Sequence, residues 1–134
     1  MIVRNARRFG ALSAAVLSLL GCSAGAPQGI WETKGPSAGP LQYVRLHLRD
    51  GGSFSCDAVF TEGGTREEIT GTWAQHAQKE GFVLELRATN PPAPRLFGGR
   101  TSVLTEARRD GRRLILPRGF TGEATLILSE VEGK

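Results

Sequence analysis

Leu41-Gln42-Tyr43-Val44-Arg45-Leu46-His47-Leu48-Arg49 runs through Asp50-Gly51-Gly52 into Ser53-Phe54-Ser55-Cys56-Asp57-Ala58-Val59-Phe60. In the first run Val44, Leu46 and Leu48 alternate with Tyr43, Arg45, His47 and Arg49, the period of two that a strand with one buried face requires. Asp-Gly-Gly supplies the backbone freedom of a tight hairpin turn. In the second run Phe54, Cys56, Ala58 and Phe60 share one face and Ser53, Ser55 and Asp57 the other, so Cys56 is predicted to point inward.

The same period continues outward from this hairpin. Arg66 to Ala77 sets Ile69, Gly71, Trp73 and Gln75 on one face, and Gly81 to Ala88 does so with Phe82, Leu84, Leu86 and Ala88. Ile30 to Thr33, Gly99 to Arg108, Arg112 to Leu116 and Ala124 to Glu130 complete eight predicted strands, and Gly and Pro interrupt the chain too often for a long helix. Sequential strands with hairpin-length links predict an all-β fold, a small antiparallel up-and-down barrel whose closure removes exposed edges. A β-sandwich of the same strands is the alternative, since the sequence carries no closure contact.

Successive links in a meander alternate between the two ends. Asp50-Gly51-Gly52, Gln78-Lys79-Glu80 and Asp110-Gly111 are short and share the end where the chain enters, whereas 34–40, 61–65, 90–98 and 117–123 are longer and rich in Gly and Pro. The pattern predicts a cup with its mouth on the long-loop side, where binding sites gather. Leu96, Phe97 and Phe120 fall in those loops and are the candidate ligand contacts, with folded-down loop anchors as the other reading. Asn90-Pro91-Pro92-Ala93-Pro94 is a stiff lid or spacer. Trp31 and Trp73 lie near the closed end as fillers of its base.

Gly29-Ile30-Trp31 at the start of the first strand resembles the Gly-x-Trp motif of the lipocalin-like (calycin) β-barrel proteins. That resemblance implies a cup-shaped barrel with its first tryptophan at the closed end. The chain departs from the family in its length, in lacking a Thr-Asp-Tyr-like motif, and in having no arginine near its last strand to pack over that tryptophan. Gly71-Thr72-Trp73 repeats the pattern 42 positions later.

At the amino terminus Arg4, Arg7 and Arg8 precede the apolar stretch Ala11 to Leu20, which is too short to span a bilayer as a helix and reads as a removable signal. The stretch ends in Leu19-Leu20-Gly21-Cys22, which resembles the lipobox of bacterial lipoprotein precursors. The resemblance implies cleavage after Gly21, a thioether to diacylglycerol on Cys22 and acylation of the new amino group, two or more chains being needed for stable anchoring. The expected organisation is a signal peptide over 1–21, the lipidated cysteine and a short tether over 22–29, and one barrel domain over 30–134. Ser23 after the cysteine implies a cell-envelope protein on the outer membrane, facing the periplasm, where two membranes are present.

Without that leader the 134-residue chain's 17 basic residues fall to 14 against 13 acidic ones, a balance that gives no reason to expect a nucleic-acid partner. Arg108, Arg109, Arg112 and Arg113 surround the Asp110-Gly111 turn on the tether side and are candidates for contact with anionic lipid headgroups; a solvated turn is the alternative. Cys56 reads as a core residue. His47 and His76 lie outward on non-neighbouring strands and lack the further ligands of a metal site, so no metal or other cofactor is expected. Glu62, Glu67 and Glu68 read as a solvated rim. No nucleophile elbow, zinc-protease pair or phosphate loop occurs. The expectation is a noncatalytic, membrane-anchored lipoprotein whose barrel binds a small apolar ligand, with a solid-cored structural or protein-interaction module as the alternative.

Overall fold

The alternation read along the hairpin closes on itself. A computed structural model describes residues 27–34, 40–122 and 124–131, and these form a closed barrel in which β1 to β8 neighbour one another in sequence order and β8 returns to β1. The strands are β1 (Gly29–Glu32), β2 (Leu41–Leu48), β3 (Ser53–Phe60), β4 (Arg66–Ala77), β5 (Phe82–Asn90), β6 (Ser102–Asp110), β7 (Arg113–Leu116) and β8 (Leu126–Glu130). Every neighbouring pair is antiparallel, and closure of β8 onto β1 selects the up-and-down barrel over the sandwich. The expected signal segment, 1–21, and Cys22 lie outside the described residues. None of the described helices is long and apolar enough to cross a membrane.

Two strands begin later than their patterns predict. The alternation of β6 was expected from Gly99, yet Arg95–Phe97 forms a 3-10 turn, Gly98 ends it in the left-handed conformation, and the strand starts at Ser102. The pattern of β8 was expected from Ala124 but pairing starts at Leu126. Both delays fall at the mouth, where loop residues fold over the barrel instead of extending its strands.

Inside, the inward faces of all eight strands merge into one hydrophobic core containing Trp31, Val44, Leu46, Phe54, Ile69, Leu84, Leu86, Leu114 and Leu128. Trp31 is fully buried at the chain-entry end and its indole N–H donates to the Pro27 carbonyl at 2.7 Å. An arginine does cover this tryptophan: Arg109 places its guanidinium 5.2 Å from the ring centroid and pairs with Glu130 at 3.2 Å. It comes from β6, where it continues the inward parity of Val103, Thr105 and Ala107, and not from the last strand. Trp73 is only half-buried at the same end; its indole N–H donates to the Arg49 carbonyl at 2.8 Å, joining β4 to the β2–β3 turn.

The second Gly-x-Trp has its own structural cause. The register of β4 on β5 shifts between Thr70 and Gly71, and a Cβ on Gly71 would sit 1.9 Å from the Arg87 carbonyl oxygen and 2.9 Å from the Phe54 ring. Backbone cannot yield there as a flexible side chain would. Gly71→Ala is expected to destabilise the barrel by about 2 kcal/mol or more, the cost of overpacking against a fixed backbone, read as a lower urea midpoint at unchanged slope.

Cys56 points into the core beside Ile69, as the alternation requires, and is the free cysteine of the described region. Burial pushes its thiol well above the usual range, and the charges of Asp57 and Glu67 add to the rise. The thiol therefore stays protonated at neutral pH and lacks the nucleophilic thiolate. In a Cys22→Ala chain, where Cys56 is the remaining cysteine, a disulfide-exchange reagent is expected to react at neutral pH only after denaturant unfolds the protein.

Candidate functional site

The described part of the mouth is built by the loops that follow β3, β5 and β7, with Pro40 just before β2. The 3-10 turn after β5 carries Leu96 and Phe97 downward, so that Leu96 is 4 % and Phe97 1 % exposed. Phe97 lies with its ring centroid 6.4 Å from Phe54 of the core and 6.2 Å from Phe120 of the β7–β8 loop, within the range of aromatic contact. The three apolar loop residues picked out in the sequence are thus brought together, but they plug the barrel from above.

Glu67 holds the plug in place. The backbone N–H groups of Arg95 and Leu96 donate to its two carboxylate oxygens at 2.8 and 2.9 Å. A negative charge at the start of a helical turn meets unpaired N–H groups, so one side chain satisfies two of them. Glu67 was expected on a solvated rim with Glu62 and Glu68; Glu62 and Glu68 are exposed, whereas Glu67 is half-buried and structural. The signal was present, since Glu67 shares the inward parity of Ile69 on β4. On the other side of the mouth the Thr105 hydroxyl donates to the Gly119 carbonyl, which ties the β7–β8 loop to β6.

Between these folded loops lies a pocket of about 310 Å³. Leu41, Phe60, Leu96, Phe120 and Leu126 give it an apolar lining, and Arg95 and Arg118 stand at it as cations. The Arg95 guanidinium rests 4.1 Å from the Phe60 ring centroid, a cation–π contact that holds the charge over the apolar floor. Leu96 and Phe120 line this pocket and Phe97 does not. Neither arginine was singled out in the sequence, because loop residues follow no period.

At the opposite end the four candidate arginines separate. Arg109 turns inward to Trp31 and Glu130, Arg112 Nε lies 3.9 Å from Glu130, and Arg113 pairs with Asp110 at 3.2 Å. Arg108 is exposed on the outer face of β6.

The two histidines stay apart. His76 contacts Glu85 at 2.8 Å, and the hydrogen bond from His76, with the nearby Arg87 charge, lowers the Glu85 pKa below the usual carboxylate value. His47 is lowered by partial burial and by Arg49 and Arg45. Among the described residues no group of three or more His, Cys, Asp or Glu side chains converges on a metal-sized site.

The fold and the mouth together define a small closed eight-stranded antiparallel barrel with a filled interior. No protein-family model, curated protein or solved structure matches the chain.

Removing the Glu67 carboxylate would leave two loop N–H groups unpaired. Glu67→Ala is expected to lower stability by about 2 kcal/mol, the usual cost of orphaning charge-assisted hydrogen bonds, and to speed hydrogen exchange at the Arg95 and Leu96 amides while leaving the β2–β3 amides slow. Glu67→Gln should keep part of the protection.

Proposed function

We propose that this chain is a noncatalytic, lipid-anchored protein of the bacterial cell envelope that binds a small apolar ligand at its mouth. The observation that carries the reading is the apolar pocket of about 310 Å³ between the folded loops, a volume at the lower bound of small-molecule sites. The ligand would lie on top of the core, against Leu41, Phe60, Leu96, Phe120 and Leu126, and not in the barrel's centre, which is closed by Phe54, Phe97 and their neighbours.

Anchoring rests on Leu19-Leu20-Gly21-Cys22 and implies a membrane on the chain-entry side. Gly29 opens β1 opposite Leu48, beside the tight β2–β3 turn, so a tether there leaves the mouth facing away from the bilayer. Arg108, Arg112 and Arg113 are exposed on that side and would meet anionic headgroups; Arg109 is engaged in the floor. The start of β1 at Gly-x-Trp, and an arginine over that tryptophan, support a lipocalin-like reading of the barrel. Where two membranes are present the expected location is the outer one, facing the periplasm.

The filled interior favours a second reading, a protein-interaction module that uses the barrel as a rigid scaffold. Native mass spectrometry of the full chain released from membranes separates the two. The ligand reading expects an extra mass retained by the wild type and lost on Ala124→Trp, since Ala124 lines the pocket and the indole would fill it; a wild type that carries none, and binds none from an envelope lipid extract, leaves the interaction module. Anchoring is tested apart from this: Cys22→Ala should abolish labelling by a radioactive fatty acid and release the protein from membranes, and retained label would refute the lipid anchor.

A further inference from the structure

The seam between β6 and β7 is incomplete on the mouth side. Asp110 and Arg113 flank the turn that joins β6 to β7, and pairing continues through Arg109 with Leu114 and Arg108 with Ile115. The next hydrogen-bonded pair would set Glu106 against residue 117, which is proline and has no N–H to donate, so the ladder stops there. On its other side β6 pairs with β5 from Ser102 to Ala107. The bond from the Ala88 N–H to the Thr101 carbonyl fixes the parity. By antiparallel alternation Val103, Thr105 and Ala107 direct their backbone groups to β5, and Ser102, Leu104 and Glu106 direct theirs to the side that β7 has left. Among the described residues, no backbone group of the β7–β8 loop bonds to Leu104 or Glu106.

Beside this edge runs a groove. A cavity of about 440 Å³ is lined by Ser102 to Glu106 and by residues 118–122, two segments joined at one point by the Thr105 hydroxyl to Gly119 carbonyl bond, and a second of about 600 Å³ continues past Glu106 to Arg108, Lys79, Glu80 and Pro117. Leu104 stands at its centre, 69 % exposed, the most exposed large apolar side chain of the described region. Arg100 and Arg118 line the mouth-side end. A second copy of β6 fits this edge poorly, because antiparallel self-pairing about Leu104 would bring Arg100 of each copy to Arg108 of the other, and like charges opposed across strands repel.

We propose that the free edge of β6, Ser102 to Glu106, docks an extended segment of a partner protein as an added antiparallel strand, with an apolar residue on Leu104 and an acidic residue beside Arg100 and Arg118. The backbone ladder supplies the attachment and the side chains choose the segment, the usual division in strand addition. Because β6 runs from the mouth toward the closed end, the antiparallel segment presents its acid at its C-terminal side. The strand edge itself, Ser102 to Glu106, lies outside the mouth pocket, and residues 118–121 wall both.

The probe is the acetylated heptapeptide Lys-Thr-Val-Thr-Thr-Thr-Glu, whose valine falls opposite Leu104 and whose glutamate reaches Arg100, titrated against the full chain in detergent. Binding is expected at peptide concentrations up to about 1 mM, the weak end of specific recognition, with hydrogen exchange at the Leu104 and Glu106 amides slowed at least about tenfold at saturation, as ladder bonds require. The same peptide N-methylated at valine cannot donate to the Leu104 carbonyl and should not bind. The double variant Arg100→Ala/Arg118→Ala should weaken the wild-type peptide about fivefold, the worth of exposed charge contacts. Equal binding of the methylated peptide, unchanged exchange at Leu104 and Glu106, absence of binding, or concentration-dependent dimerisation that protects these amides without peptide would each overturn the proposal.

Discussion

Closure of the sheet depends on a short seam, and one cluster of side chains reinforces it. Among the described residues β1 and β8 hold two paired positions, Trp31 with Glu130 and Glu32 with Ser129, extended by the Val131 N–H to Ile30 carbonyl bond. Two such pairs are a weak join for a barrel, since a short ladder must still offset the entropy of ordering both strands. Arg109 changes the balance by crossing from β6 to Glu130 on β8 while its guanidinium covers Trp31 of β1. One side chain thereby links three strands at the floor. Arg109 and Glu130 are each about three-quarters shielded, so their attraction is screened less than that of a surface pair, and Trp31 contributes a large buried area beneath it.

A floor sealed in this way leaves open space at the rim. Barrels of eight strands can be filled by their own side chains or keep room for one small ligand, and here Phe54, Phe97, Phe82 and the leucines between them occupy the centre. The loops complete the packing. Phe97 reaches down because Glu67, from the next hairpin, holds its turn by two N–H groups. The pocket that survives lies above this layer, apolar below and flanked by the guanidiniums of Arg95 and Arg118. A ligand there would be held between loops and not enclosed by strands.

The strands were legible because period-two alternation survives any tertiary arrangement, and each inward face predicted for β2, β3 and β5 is buried. The same parity, carried one step further, reaches Glu67 at the mouth end of β4 and Arg109 at the floor end of β6. Glu67 was read by its charge as a solvated rim residue and Arg109 as a headgroup contact or part of a solvated turn, whereas each is turned in by register and paired on arrival. Parity outranks polarity where a partner waits inside. The loops were not legible in this sense. The turn at Arg95–Phe97 takes its cap from a residue 28 positions away, and no local pattern encodes that distance. The proposed lipid attachment at Cys22 rests on the sequence motif alone and owes nothing to the barrel.

The β7–β8 loop is where these constraints meet. Pro117 ends the ladder to β6 and starts the loop, Thr105 fastens it through Gly119, and Phe120 inserts it into the roof of the core. Arg118, Gly119, Phe120 and Thr121 line the mouth pocket on one side and the groove along β6 on the other. A wall shared by two cavities cannot be displaced toward one without changing the shape of the other. The proline that leaves the seam open is thus also the residue that frees the loop to form a wall.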